Sequence, residues 1–262
     1  MITFVKGKVE EISLPDGVDK VDIIVSEWMG YCLLYEAMLD SVLFARDKWL
    51  KPDGLMVPSH CTLHVAPLAD PDWVVDNVTF WKDVYGFDMT AMMEKIYEDT
   101  LARYPSKSVI VGRTIDESPF KILDLHTITT AELDFKVNFS AKLSQDIDEL
   151  DGLCIWFDTL FMPSRQDPPS KSLLQGVPPT KTDNTGTVFF TTGPFGPETH
   201  WRCGICMIDR SEKSGVPLKS GQTVDGTIEY KKNKTAKRDL NIKISWDAKG
   251  TEEKSKQLWY MR

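Results

Sequence analysis

The sequence predicts a mixed fold, in which a short α/β region is followed by a longer all-β region. Near the N-terminus, strand-like runs flank one helix-like run, a pattern typical of a doubly wound parallel sheet. Beyond Ser106, short runs of alternating apolar and polar residues recur between turn residues, which indicates an antiparallel barrel or sandwich. No run approaches the roughly 20 apolar residues of a membrane helix, so we expect no membrane-spanning segment.

The α/β region is read in chain order. Residues 2–5 resemble a strand, and the β-branched run 21–25 predicts a buried strand. Apolar residues recur on one face of a helix through residues 34–49, and Pro52-Asp53-Gly54 should end that helix in a turn. A further strand is expected over residues 55–65. This order is that of the second half of a doubly wound sheet.

The remaining segments differ in composition. Residues 72–99 are rich in aromatic residues and methionine, and their spacing is compatible with helices. Five prolines between residues 163 and 186 predict a long loop. Alternating runs predict strands at residues 133–139, 187–190, 227–230 and 240–244.

Charge and cysteine content restrict the classes of function. The net charge of −8 disfavours direct nucleic-acid binding and suits a cationic partner. The basic cluster 231–238 is best explained as a solvated hairpin. Five scattered cysteines, an odd number, indicate a reducing compartment, so we expect the protein in the cytoplasm, the nucleus or both.

Two glutamates are the main candidates for chemistry. Glu27 directly follows the strand predicted over residues 21–25, at the strand end where open α/β sheets bind ligands. Glu36 lies near the start of the predicted helix, and a loop containing Gly30 could fold back to bring both carboxylates to one pocket. The alternative is a solvent-facing Glu27 and a Glu36 that favours the helix N-terminus.

A pair of carboxylates is compatible with three kinds of site: a glycosidase, a divalent-metal site, or a clamp for a guanidinium group. We expect no metal. His60 and His64, and likewise Cys203 and Cys206, are predicted to lie on strands, where their spacing does not bring them together.

The motifs also resemble a known family. Residues 26–31, with Glu36 after a short apolar loop, resemble the double-glutamate loop of the type I protein arginine methyltransferases. Further likenesses follow in the family's order. They are residues 6–11 (the adenosine-binding segment), 45–52 (the helix end after the loop), 81–89 (the dimerisation arm) and 199–201 (the Thr-His-Trp, or THW, loop).

The resemblance implies a domain organisation. Residues 1–66 would form the C-terminal part of a Rossmann-like methyltransferase domain that depends on S-adenosylmethionine. Residues 67–105 would form a dimerisation arm inserted in the barrel domain, and residues 106–262 a β-barrel substrate domain.

The resemblance also implies residue roles. Glu27, Glu36 and His200 would be catalytic, the two glutamates clamping the substrate guanidinium and His200 closing the substrate side of the pocket. The cofactor would contact Val9, Glu10, Met38 and Ser41. The substrate would contact Met29, Tyr31 and Trp201.

The function implied by the resemblance is type I arginine methylation, which gives asymmetric dimethylarginine. S-adenosylmethionine would be the co-substrate, and no metal would be needed. Substrates would be arginines in Gly/Arg-rich segments of ribosomal, RNA-binding or histone proteins. We expect a homodimer formed through residues 72–99, and neither membrane association nor direct nucleic-acid binding.

One departure from the family supports an alternative. The family's Gly-rich cofactor loop, its acidic ribose-binding residue and its N-terminal helix should precede Met1, and the chain contains no G-x-G. The chain alone is therefore expected to bind S-adenosylmethionine poorly or not at all. The rival hypothesis is a catalytically incompetent fragment or pseudoenzyme that retains dimerisation and peptide binding. A carboxylate-pair hydrolase is a third alternative.

Overall fold

The computed structural model describes residues 2–93, 95–180 and 186–262. Three α-helices occur: α1 (Leu39–Trp49), α2 (Pro71–Asn77) and α3 (Lys171–Leu174). Short 3-10 helices span Thr79–Lys82, Thr90–Met93, Lys107–Val109, Ile115–Glu117 and Thr130–Leu133. The strands are β1 (Val21–Val25), β2 (Leu50–Val57), β3 (His60–Leu68), β4 (Leu101–Arg103), β5 (Gly112–Thr114), β6 (Lys121–Asp124), β7 (Phe135–Leu143), β8 (Gly152–Phe161), β9 (Val188–Thr191), β10 (Cys203–Met207), β11 (Thr223–Lys232), β12 (Leu240–Ala248) and β13 (Lys254–Met261).

The strands form three sheets. Strands β1 and β2 pair in parallel. A six-stranded antiparallel sheet has the order β4-β10-β8-β3-β6, with β9 paired to β8, and a five-stranded sheet has the order β13-β12-β11-β7-β5. The mixed α/β and all-β fold predicted from the sequence is confirmed. The predicted domain limits stay predictions, and β3 runs across the expected limit at residue 66.

Two expectations for the first strands are wrong. β1 forms, but it is not buried: Ile23 is 53% and Val25 74% exposed. The reason is that β1 pairs only with β2 in the described part of the chain, so its other edge is uncovered. Residues 2–5 are exposed and belong to no described strand. A β-branched run forms a strand only where a partner completes its hydrogen bonds.

The predicted helix and turn are also shifted. α1 begins at Leu39, so Leu34 and Met38 precede it, because the backbone of Glu36 and Ala37 has positive φ and cannot continue a helix. The helix ends at Trp49, before Pro52-Asp53-Gly54, which lies inside β2 at an irregularity of its pairing with β1. These three residues therefore interrupt a strand register and do not form the helix-ending turn.

The predictions for the segments after residue 55 agree more closely with the structure. The strand expected over residues 55–65 is two strands, the end of β2 and most of β3, in different sheets. Residues 72–99 contain α2 and two 3-10 helices, as their spacing suggests. The four alternating runs coincide with β7, β9, β11 and β12. The predicted Pro-rich loop contains α3, and residues 181–185 of it lie outside the described residues.

The two antiparallel sheets together are called the barrel here. The α/β region, which consists of β1, β2 and α1, is joined to this barrel through a shared hydrophobic core. Trp28, Leu33 and Leu34 belong to the same buried cluster as the barrel side chains Phe157 and Tyr230. Leu33 is fully buried. The loop after β1 is thus part of the barrel core rather than a solvent-exposed connection.

The five cysteines are free and buried, and burial raises the pKa of the Cys61 thiol to about 12. Cys203 and Cys206 lie on β10, and His60 and His64 on β3, as predicted. The described residues contain no group of three or more side chains arranged to hold a metal ion. No helix within them has the length and apolar character needed to cross a bilayer.

The buried carboxyl group of Asp151 should make the stability of the fold depend on pH. Asp151 accepts a hydrogen bond of 2.6 Å from the backbone N–H of Asp70 to its Oδ2. Burial raises the pKa of Asp151 to about 6, and the hydrogen bond from Asp70 opposes that rise only in part. The folded protein therefore holds a proton on Asp151 under conditions in which the unfolded chain releases it.

We expect Asp151 to make the protein less stable as pH rises. Its pKa of about 6 exceeds the ordinary value of 3.8, so its stabilising contribution is fully present below pH 3.8 and is lost as pH rises through about 6. Between about pH 4 and pH 7, the free energy of unfolding of the native chain should decrease as pH rises. This decrease should be about 2 kcal/mol larger than the change in the Asp151→Asn variant over the same range. Urea unfolding measures both, with the exposed Asp16→Asn as control. A native chain and an Asp151→Asn variant with equal pH dependence would contradict the assignment.

Candidate active site

The loop between β1 and α1 is a compact hairpin. The N–H of Ser26 donates to the carbonyl of Val57, which continues the β1–β2 pairing by one residue. Gly30 and Leu33 then exchange two backbone hydrogen bonds of 3.0 Å each. A Cβ at Gly30 would lie 2.0 Å from the carbonyl oxygen of Tyr35, so only glycine allows the chain to fold back this closely.

The loop backbone is strained and held in place. Cys32, Leu33, Glu36 and Ala37 all have φ between +49° and +78°, a region that costs non-glycine residues energy. Such conformations persist where surrounding contacts fix them, and here the apolar residues of the loop are buried in the barrel core. A Cβ at Gly204 of β10 would lie 2.1 Å from Cys32 Sγ, which shows how closely loop and barrel pack.

Both predicted clamp glutamates are exposed on this hairpin. Glu27 has no hydrogen bond or ion pair with any other described residue. The N–H of Glu36 donates to the carbonyl of Arg238 at 2.8 Å, and Glu36 Oε1 lies 3.3 Å from Arg238 Nη2. Because both side chains of this ion pair are largely exposed, the pair contributes little to stability. It does show that the Glu36 carboxylate is open to a guanidinium group.

The barrel supplies two cations that the sequence reasoning missed. Arg238 lies between β11 and β12, and Lys232 ends β11. Lys232 Nζ lies 2.5 and 2.6 Å from the two carboxylate oxygens of Asp40, in the first turn of α1. The cluster 231–238 is a hairpin as predicted, but its cations contact the loop and α1 and are not solely solvated. The sequence could not show that the cluster 231–238 lies close to Glu36 and Asp40, because the residues in contact are far apart in the chain.

Trp201 connects the predicted THW loop to the hairpin. Its indole Nε1 donates to the carbonyl of Met29 at 2.7 Å. Its ring stacks on Phe190, with centroids 5.4 Å apart and planes at 12°. His200 is exposed, and its ring centroid lies 3.8 Å from that of Trp201. Within the described residues His200 has no hydrogen bond or ion pair.

The predicted substrate residues differ in exposure. Met29 is buried, and its carbonyl is the group that meets Trp201. Tyr31 is exposed and stacks on Tyr35, with ring centroids 6.2 Å apart. The Nε1 of Trp28 is buried without a hydrogen-bond partner among the described residues. The loop thus offers one exposed aromatic ring close to its two glutamates in sequence.

Four residues were predicted to hold a cofactor, and the structure joins two of them directly. Ser41 Oγ, on the first turn of α1, donates to Glu10 Oε1 at 2.5 Å. This hydrogen bond lowers the pKa of Glu10. Val9 precedes Glu10 and is half-buried, and Met38 is exposed at the start of α1. A carboxylate held at the first turn of α1 is able to accept hydrogen bonds from the hydroxyl groups of a nucleoside.

A family model described as the arginine methyltransferase oligomerization subdomain matches residues 59–251. The ribosomal protein arginine N-methyltransferase rmt3 of Schizosaccharomyces pombe is 37% identical over 252 residues, which are 95% of this chain and 42% of that protein. Protein arginine N-methyltransferase 1 of Dictyostelium discoideum is 35% identical, over 97% of this chain and 66% of that protein. The chain therefore spans less than two thirds of the length of these relatives.

The fold is similar to a solved structure of the same kind. The Trypanosoma brucei PRMT1 enzyme–prozyme heterotetrameric complex with AdoHcy superimposes with a TM-score of 0.82 at 29% identity, over 99% of this chain and 73% of that chain. Together with the family match and the two relatives, this likeness confirms the resemblance seen in the motifs. The chain belongs to the protein arginine methyltransferase family.

Proposed function

We propose that the protein transfers methyl groups from S-adenosylmethionine to arginine side chains and forms asymmetric dimethylarginine. The observation that carries the proposal is the contact between Glu36 and the guanidinium of Arg238, on a hairpin fixed by the barrel. Family membership supports the same chemistry. A glycosidase or metal site has less support, because the one charged group that contacts Glu36 among the described residues is a guanidinium.

The chemistry depends on position more than on proton transfer. An arginine keeps its charge at cellular pH, so a base cannot simply deprotonate it first. In the proposal, Glu27 and Glu36 attract the planar cation and orient one terminal nitrogen, which is catalysis by proximity and orientation. The hydrogen bond from Trp201 to the carbonyl of Met29 attaches the loop that carries both glutamates to the barrel.

The co-substrate supplies an electrophilic methyl group on a sulfonium sulfur. We propose that Glu10 accepts hydrogen bonds from its nucleoside, with Val9, Met38 and Ser41 beside it. The Glu10–Ser41 hydrogen bond supports this placement, because it brings a carboxylate to the first turn of α1.

The substrate side of the proposed pocket is formed by residues of both regions. Met29 and Tyr31 would contact the substrate from the hairpin, and His200 and Trp201 would close the pocket from the barrel. The exposed ring of Tyr31 and the exposed His200 support these roles. We propose Gly/Arg-rich protein segments as substrates, including ribosomal, RNA-binding and histone proteins, since the chain carries a net charge of −8.

We further propose that the protein forms a homodimer through residues 72–99 and acts in the cytoplasm, the nucleus or both. In this arm Tyr85 is 95% and Phe87 72% exposed. Large apolar side chains clustered on a surface are typical of an interface. The matching family model describes an oligomerization subdomain, which supports the same conclusion.

Replacing Glu27 with glutamine should abolish most of the activity. In the proposed complex the bound substrate covers Glu27, so the variant removes one partner of a charge pair that is buried there. Such a loss costs roughly 3–5 kcal/mol, so we expect the methylation rate to fall at least about 100-fold. The assay measures methyl transfer to an arginine-rich peptide by the protein expressed from its complete reading frame. Glu212→Gln, at an exposed glutamate outside the site, should keep the native rate.

The same assay decides between the hypotheses. A rate above a third of the native value in Glu27→Gln would remove the clamp from the mechanism. A native protein with no methyl transfer would instead favour the alternative of an incompetent fragment or pseudoenzyme. Methyl transfer that requires S-adenosylmethionine would exclude the carboxylate-pair hydrolase.

Polar substitutions in the arm should weaken the dimer. Burying a large apolar side chain contributes about 1.5–3 kcal/mol, so Tyr85→Ser combined with Phe87→Ser should raise the dimer dissociation constant about 100-fold or more. Sedimentation equilibrium measures this constant. Val188→Ser, at an exposed apolar residue on β9 outside the arm, is the matched control. A dimer unaffected by the double variant but disrupted by Val188→Ser would place the interface elsewhere.

A further inference from the structure

The barrel contains a second candidate site, whose lining does not include the two glutamates. A cavity of about 700 Å³ lies between the segment 175–178 and the approach to the THW loop. Its volume is in the range of small-molecule and side-chain binding sites. Its aromatic lining consists of Trp156, Phe189, Phe190, Phe195 and Trp201.

A buried carboxylate lies in this aromatic wall. Asp158, on β8, lines the cavity and is only 1% exposed. Neither of its carboxylate oxygens has a hydrogen-bond partner in the described part of the chain. Nε2 of His64 lies 3.1 Å from Oδ2, and that nitrogen also lies 2.8 Å from Thr62 Oγ1. A buried carboxylate without hydrogen bonds is costly, so its donors are expected to come from a ligand.

Two glycines of the cavity wall pack closely against the carboxylate and the ring. At Gly176, a Cβ would lie 2.8 Å from Asp158 Oδ2. At Gly193, a Cβ would lie 2.6 Å from atoms of the Trp156 ring. His64 stacks on this ring, with centroids 5.4 Å apart and planes at 9°. Any larger residue at either glycine would therefore clash with Asp158 or Trp156 and disturb the cavity wall.

The mouth of the cavity already shows a guanidinium on an aromatic ring. The guanidinium carbon of Arg113 lies 4.1 Å from the centroid of Phe195. Arg113 also pairs with Glu117 at 3.0 Å, so the mouth carries no uncompensated positive charge from this residue. A second guanidinium entering the cavity would thus meet ring faces, one neutralised cation and one buried anion.

We propose that this cavity binds an arginine side chain, with Asp158 as its anionic partner. A carboxylate without hydrogen-bond donors suits the N–H groups of a guanidinium, and this planar, weakly hydrated cation packs on aromatic faces better than an ammonium does. The arginine would belong to a protein segment, because the cavity opens at the barrel surface beside exposed Val177. The proposal is independent of the function of Glu27 and Glu36.

The cavity is in contact with the hairpin through one residue. Trp201 lines the cavity and also donates to the carbonyl of Met29. A bound arginine would therefore touch the side chain that fixes the loop of Glu27 and Glu36.

Calorimetric titration of the chain tests the site, with Glu27→Gln and Glu36→Gln present to disable the hairpin carboxylates. The probe is N-acetyl-arginine methylamide, and its neutral isostere is N-acetyl-citrulline methylamide. We expect the arginine compound to bind at least about tenfold more tightly, because a charged hydrogen bond contributes more than a neutral one. Asp158→Asn should weaken arginine binding by a similar factor. Asp151→Asn, at another buried aspartate of the barrel, should leave it unchanged.

Several outcomes would overturn the proposal: no binding of arginine in the Gln/Gln background, equal binding of arginine and citrulline, or binding unaffected by Asp158→Asn. If Asp158→Asn fails to fold, the comparison of arginine with citrulline in the chain that retains Asp158 still decides. Free L-arginine is the last probe. Weaker binding of free L-arginine than of the capped compound supports a peptide segment as the source, and tighter binding overturns that source.

Discussion

The hydrogen bond from the Trp201 indole to the carbonyl of Met29 is the contact on which the candidate site depends. It joins the last part of the barrel to the loop after the first strand, 172 positions apart in the chain. Around it, Cys32, Leu33 and Leu34 are buried in the barrel core, and Gly204 leaves space for the cysteine sulfur. The position of the two glutamates is therefore set by the barrel as much as by the α/β region.

This arrangement explains why a strained backbone is found at the site. Four non-glycine residues of the hairpin and its exit have positive φ, a conformation that costs of order 1–3 kcal/mol each. Burial of the loop's apolar side chains offsets this cost, since each contributes about 1.5–3 kcal/mol. The result is a loop whose apolar side chains are fixed inside while Glu27 and Glu36 face solvent. In the proposed mechanism, orientation of a planar cation requires carboxylates that are carried on a fixed loop.

The sequence predicted most strands of the barrel, because these depend on local pattern, and it pointed to residues 26–36 and 199–201, which the structure joins through Trp201. It misplaced the start of α1, because the positive φ values of Glu36 and Ala37 leave no signal in the local hydrophobic pattern. Arg238 could not be assigned, since its contact with the loop is long-range. Asp158 had one local signal, an acidic residue inside the apolar run of β8, but its missing hydrogen bonds are visible only in three dimensions.

Hydrogen exchange at the amides of Gly30 and Leu33 tests most directly whether the barrel holds the loop. These amides donate the two hydrogen bonds that close the hairpin. If the barrel holds the loop, both should exchange as slowly as amides of the barrel core. Trp201→Phe, which removes the indole donor, should accelerate them by about tenfold, as expected for one buried hydrogen bond. Exchange at the rate of an unstructured peptide, or rates unchanged in Trp201→Phe, would contradict the account.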